Sequence, residues 1–126
     1  MAGQHSVAGT SPVTLKAQVC EAVATANTVT IIVKNQCGAA FRPISVNGFV
    51  TTIGAGNATL DIQVAGASIL TTPIVIAAAF TIADGVVTSG TYIADNTDIS
   101  FIFANASGGN ITDSIGQLTG FVGHSS

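Results

Sequence analysis

Tryptophan is absent and tyrosine occurs once, at Tyr92. That leaves little aromatic surface on which a sugar ring or a flat ligand would stack. Charge is scarcer still. Only 7% of the residues are Asp, Glu, Lys or Arg, against about 25% in ordinary soluble domains. The basic ones are Lys16, Lys34 and Arg42, and the net charge is -3. Affinity for a nucleic acid rises with the number of phosphates neutralised, so no nucleic-acid partner is expected. No polybasic cluster is present to hold an anionic membrane. Cysteine is limited to Cys20 and Cys37, too few for a disulfide scaffold. A bridge between them stays open, and two reduced, buried thiols are the expectation. Long apolar runs are missing as well. The longest, Pro73 to Ala83, is about half of the roughly 20 residues that a spanning helix needs. The first ten residues show no basic stretch ahead of an apolar one, so no signal peptide or anchor is expected.

What is present is a chain of 126 residues that is 48% hydrophobic, enough for one domain with a core. Folded alone, a protein of 12.5 kDa shows about 6,200 Å² to water. Three basic and six acidic side chains cannot cover that area. Thr, Ser, Asn, Ala and Val must do so, and such a surface resists association poorly. The expectation is that much of it is covered by copies or partners.

The hydropathy period is two along most of the chain. Val13, Leu15, Ala17 and Val19 alternate with Thr14, Lys16 and Gln18, as a half-buried strand does. Thr28 to Lys34 is rich in β-branched residues. Ala58, Leu60, Ile62 and Val64 give the cleanest alternation. Asn47-Gly48 and Asp84-Gly85 read as hairpin turns. Pro43 suits the start of an edge strand, and Lys16 and Lys34 are further edge guards. Ile69 to Ile82 reads as a strand bulging at Pro73, with a short helix over Ile76 to Phe80 as the alternative. Turn-punctuated short strands without helical period predict an all-β fold, an antiparallel β-sandwich or jelly roll. The expected layout is an N-terminal arm over 1–12, a β-sandwich domain over 13–122 and a C-terminal tail over 123–126.

Two segments look alike. Thr28-Val-Thr-Ile-Ile-Val-Lys-Asn35 aligns without gaps on Asp98-Ile-Ser-Phe-Ile-Phe-Ala-Asn105, and Gly38 then falls on Gly108. Each copy is followed by Gly-Phe-Val, at Gly48 and at Gly120. The common unit is a strand, an Asn-x-x-Gly turn, a loop and a second strand.

No catalytic constellation accompanies this unit. Asp84, Asp95 and Asp98 are carboxylates that could gather round a Ca²⁺ ion. Their spacing is also that of ordinary β-turn chemistry, in which a short acid bonds its own backbone, and that reading is preferred. His5 and His124 fall in the two tails with no cysteine or histidine at zinc-like spacing. There is no nucleophile elbow and no phosphate loop. Asn57, Asn105 and Asn110 head N-x-(S/T) sequons that a chain rich in these residues produces by chance. Phe49, Phe80, Tyr92, Phe101, Phe103 and Phe121 are core residues by default. Ile102 faces opposite to Phe101 and Phe103, and both faces of that strand are apolar. Phe101, Ile102, Phe103, Phe49 and Phe121 are therefore the candidate interface residues. The chain is expected to be no enzyme and to need no cofactor and no metal.

The run from Ala83 to Gly109, with Ala94-Asp-Asn-Thr-Asp-Ile-Ser-Phe-Ile-Phe-Ala-Asn-Ala-Ser-Gly-Gly109, resembles a pattern in small structural proteins of tailed bacteriophages. Ala106 stands where that pattern carries Pro. The resemblance implies a virion structural protein on the capsid surface, a cement or decoration subunit. Such a subunit forms homotrimers and binds the major capsid protein across capsomer joints. The alternative is a tail, fibre or adhesin module recognising a host surface through Asn35–Phe41 and Asn105–Asp113.

Overall fold

A computed structural model describes residues 12–122. The expected arm lies outside the described residues but for Pro12, and the expected tail lies wholly outside them. The fold is an all-β sandwich of two antiparallel sheets. Nine strands are assigned among the described residues: β1 (Pro12–Val19), β2 (Thr28–Lys34), β3 (Phe41–Phe49), β4 (Ala58–Val64), β5 (Ala67–Ser68), β6 (Ile74–Ile76), β7 (Ala83–Gly85), β8 (Asp98–Asn105) and β9 (Ser114–Val122). The first sheet has the order β1-β9-β3-β7. The second has the order β2-β8-β4-β5, with β6 also on β4. Chain and spatial order together are those of a jelly roll.

The core is made of unequal halves. Leu60, Ile62, Phe101 and Phe103 project from the second sheet and are fully buried. Leu60, Phe101 and Phe103 rest on a row of small residues that crosses the first sheet: Ala17, Gly116, Gly48 and Ala83, each opposite the next. A Cβ at Gly116 would sit 2.9 Å from both Leu60 Cδ2 and Phe101 Cδ2. One at Gly48 would sit 3.1 Å from Ile76 Cδ1. Large side chains on one sheet thus fill the room that the other leaves, as close packing requires.

This packing corrects several expectations. Asn47-Gly48 is not a hairpin but lies within β3, and Asp84-Gly85 lies within β7. Glycine is there because a Cβ at Gly85 would meet Ile74 Cγ1 at 2.5 Å. The two-residue turn is Ala65-Gly66 instead, with φ of 53° and 81° between the paired Val64 and Ala67. Pro43 is buried in β3, an inner strand, at a register shift between Pro43 and Ser45. The shift leaves the imide without a ladder bond to supply. Ile69 to Ile82 contributes only β6, and no helix forms over Ile76 to Phe80. A polar break at Thr71-Thr72 and the exposed Ala77-Ala78 interrupt the run.

The internal repeat is a structural one. β2 pairs with β8 so that Ile31 faces Phe101, the residue it matches in the alignment. Thr28 faces Ala104 and Lys34 faces Asp98 about that centre. In the other sheet β3 and β9, where the two Gly-Phe-Val copies begin, also pair with each other, Val46 on Leu118. A pseudo-twofold axis therefore relates β2 to β8.

Candidate assembly surface

The two Asn turns anchor the repeat. Asn35 is fully buried. Its Nδ2 donates to the carbonyls of Ala39 at 3.2 Å, Ile93 at 3.0 Å and Ala94 at 3.1 Å, and its Oδ1 accepts from the Cys37 amide at 3.1 Å. Asn105 repeats the pattern. Its Nδ2 donates to Gly109 and Val23 carbonyls, both at 2.8 Å, and its Oδ1 accepts from the Ser107 amide at 2.9 Å. Each side chain ties its own turn to the other half of the molecule. Only a terminal amide offers both donors and an acceptor in this arrangement.

The acidic residues are dispersed by the fold. Asp95 accepts from the Gly38 amide at 3.0 Å, which is turn chemistry. Asp98 pairs with Lys34 at 3.4 Å on the outer face of the second sheet. Asp84 lies on β7 in the first sheet. Among the described residues no three His, Cys, Asp or Glu come together as metal ligands. His5 and His124 lie outside the described residues. The Asn105 side chain is buried and fully bonded, so that sequon cannot carry a glycan.

Cys20 and Cys37 are free thiols. Cys20 is exposed and Cys37 is half-buried, which corrects the expectation of two buried thiols. Burial pushes the Cys37 thiol above its ordinary pKa, and the nearby Asp95 carboxylate adds to the shift. Two shallow clefts lie among the described residues. One of about 310 Å³ at the end of β2 and β8 is lined by Thr25, Ala26, Asn27 and Ala104, without a titratable side chain. The other, of about 250 Å³, is bounded by Arg42, Ile44 and the Thr88–Thr91 turn. Arg42 lies 5.9 Å over the Tyr92 ring beside it. Neither holds a nucleophile with a base.

The candidate interface residues separate. Phe101 and Phe103 point inward and are fully buried, so they serve the core and cannot meet a partner. Ile102 is half-buried on the outer face of the second sheet, between Thr30 and Asp61. Phe49 and Phe121 are half-buried, and Phe49 lies on the outer face of the first sheet beside Ile115. The large apolar side chains exposed among the described residues are others: Ile32, Ile44, Val75, Phe80, Ile82, Val86 and Tyr92. Phe80 is 73% exposed, although its type suggested the core. Aromatic identity alone carries no sign of which face a residue takes, and Phe80 lies outside any strand whose period would have told.

The edges carry the remaining information. The far edge of β8 is covered by β4, from Ala58 on Asn105 to Gln63 on Ser100. The pseudo-equivalent edge of β2 carries no strand among the described residues. It runs seven residues, and its outward side chains are Thr28, Thr30, Ile32 and Lys34, with Ile32 61% exposed. It has no proline and one lysine at its end. An unpaired, flat, weakly charged edge is a template for another strand.

No family model and no curated protein matches the sequence. Among solved structures, the chain is similar to one described under the words "Bacillus endospore appendages form a novel family of disulfide-linked pili", with 18% identity, a TM-score of 0.46, and 91% of this chain and 93% of that chain covered.

Proposed function

We propose that this chain is a structural subunit that works by associating with copies of itself, the open edge of β2 taking up a strand from a neighbour. The observation that supports this reading is the inequality of two equivalent edges. The fold places β2 and β8 about one axis, covers one outer edge with β4 and leaves the other uncovered among the described residues. A strand added at β2 would complete the second sheet symmetrically, its main chain supplying affinity. Three basic and six acidic side chains over 6594 Å² give little repulsion against such contact. The resemblance of Ala83–Gly109 to phage structural proteins supplies the most specific setting: a cement or decoration subunit on a capsid, bound as a trimer across capsomer joints. Burying apolar surface there raises the work needed to part the shell.

Light scattering on the purified chain over a range of concentrations tests the first statement. The wild type is expected as an oligomer. Ile32→Lys, at an exposed site that leaves the core intact, is expected to shift it toward smaller species with unchanged circular dichroism. A wild type that stays monomeric at high concentration overturns the reading. For the capsid setting, particles lacking the chain are expected to open at lower temperature, and equal stability argues against it.

A further inference from the structure

The outer face of the first sheet carries a polar row with opposite charges at its two ends. One straight row crosses all four strands: Lys16, Gln117, Asn47 and Asp84, each opposite the next. Lys16 and Asp84 are exposed and stand at the two ends. Three strand spacings of about 4.8 Å put them roughly 14 Å apart, beyond reach of each other. Among the described residues the ion pair is Lys34 with Asp98, and neither Lys16 nor Asp84 has a partner. The neighbouring row holds Gln18, Ile115 and Phe49. Phe80 packs edge-on against Phe49, ring centroids 6.1 Å apart at 77°.

Phe80 is the unusual member. Its φ is +59°, a left-handed backbone that bulky L-residues avoid at a cost of about 1–2 kcal/mol. Its amide is held by the Val50 carbonyl at 2.9 Å. The ring gains little in return, being 73% exposed. Strain held in place to present an exposed aromatic ring is the mark of a contact.

We infer that this face is the contact surface of an isologous dimer with a second copy of the chain, its twofold axis lying in the interface, parallel to the strands and between β9 and β3. Such an axis exchanges left and right along each row. Lys16 then faces Asp84 of the partner subunit, and Asp84 faces Lys16 of the partner subunit. Gln117 meets Asn47 of the partner subunit, amide to amide, and Ile115 meets Phe49 of the partner subunit. The other in-plane axis, along the row, sets Lys16 on Lys16 and Asp84 on Asp84, and like charges across a contact are strongly unfavourable. Charge placement therefore selects both the occupant and the axis. A sheet face of about 19 Å by 27 Å is near the lower limit of specific interfaces, so the dimer is a weak one, sensitive to its two ion pairs.

This contact does not use the β2 edge, and the test is made so that the two stand or fall apart. Sedimentation equilibrium is run in the Ile32→Lys background, chosen because a charge on the strand disfavours the edge contact. There Lys16→Asp and Asp84→Lys are each expected to weaken the dimer at least about tenfold. The double exchange, with the parent's net charge, is expected to bring it back to within about threefold of the parent. Phe80→Gly is expected to weaken the dimer while raising the melting temperature. A monomeric parent at millimolar concentration, single reversals without effect, or a double exchange no tighter than the singles overturns the inference. Unchanged assembly on Ile32→Lys alone counts against the edge and leaves this face standing.

Discussion

Asn35 and Asn105 occupy equivalent places about the pseudo-twofold axis, and each closes a turn with the same hydrogen bonds. Oδ1 takes the amide two residues on, and Nδ2 gives to the carbonyl four residues on. Both then reach across, Asn35 to Ile93 and Asn105 to Val23. The opposite strand leads obey the same symmetry. Ala26 and Asn96, with φ of 68° and 61°, donate their amides to the carbonyls of Asn105 and Asn35.

Replacing either Asn by Ala strands buried carbonyls and an amide. A cost of about 2–4 kcal/mol is expected for each, roughly 6–20 °C in melting temperature. Asn105→Asp is the sharper probe. A carboxylate facing carbonyl oxygens is disfavoured, so its folded pKa rises above the unfolded value. The protonated acid can still donate. The variant is therefore most stable at low pH and loses stability as pH rises through the folded pKa. Denaturant midpoints between pH 3 and 8 check the sign.

The repeat was legible in the sequence because the Asn turn and its strand recur without gaps. So was the all-β class, since alternation over Val13–Val19 and Ala58–Val64 has one reading. The hairpin expectation fails at Asn47-Gly48 and Asp84-Gly85 for a physical reason. A glycine demanded by a side chain on the facing sheet looks the same in sequence as one demanded by a turn. Ile74, Ile76 and Leu60 were the missing information. The surface was the least legible part, because Lys16 and Asp84 are far apart in the chain and meet in one row only through the β1-β9-β3-β7 order.

Three glycines in different surroundings predict graded costs. Gly120→Ala would drive a Cβ to 2.0 Å from the Arg42 carbonyl oxygen, and that backbone cannot yield, so the variant is expected not to fold. Gly116→Ala meets a Leu60 methyl and the edge of the Phe101 ring, both at 2.9 Å, and should cost about 1–3 kcal/mol. Gly108→Ala makes ordinary contact at 3.4 Å and should stay within about 0.5 kcal/mol of the parent. Thermal unfolding of the three gives the order directly. Equal effects would refute the packing account.

The turn between β4 and β5 predicts a gain. Ala65 and Gly66 both have positive φ, the type I′ pattern, which favours Asn at its first position and disfavours Ala. Ala65→Asn is expected to raise stability by about 0.5–1 kcal/mol, seen as a higher melting temperature.

The two thiols predict unequal chemistry. Cys20 is exposed, whereas Cys37 is half-buried and its pKa is raised first by burial and then by Asp95. Only the thiolate attacks, so iodoacetamide at pH 7.5 is expected to modify Cys20 well before Cys37. Raising the pH should narrow the gap, since more Cys37 ionises. Asp95→Asn removes one of the two causes and should speed Cys37 without touching Cys20. That variant also keeps a side-chain oxygen to accept from the Gly38 amide, so the turn is retained. Mass spectrometry of timed samples separates the sites. Equal rates at pH 7.5, or no response of Cys37 to Asp95→Asn, would contradict the electrostatic assignment.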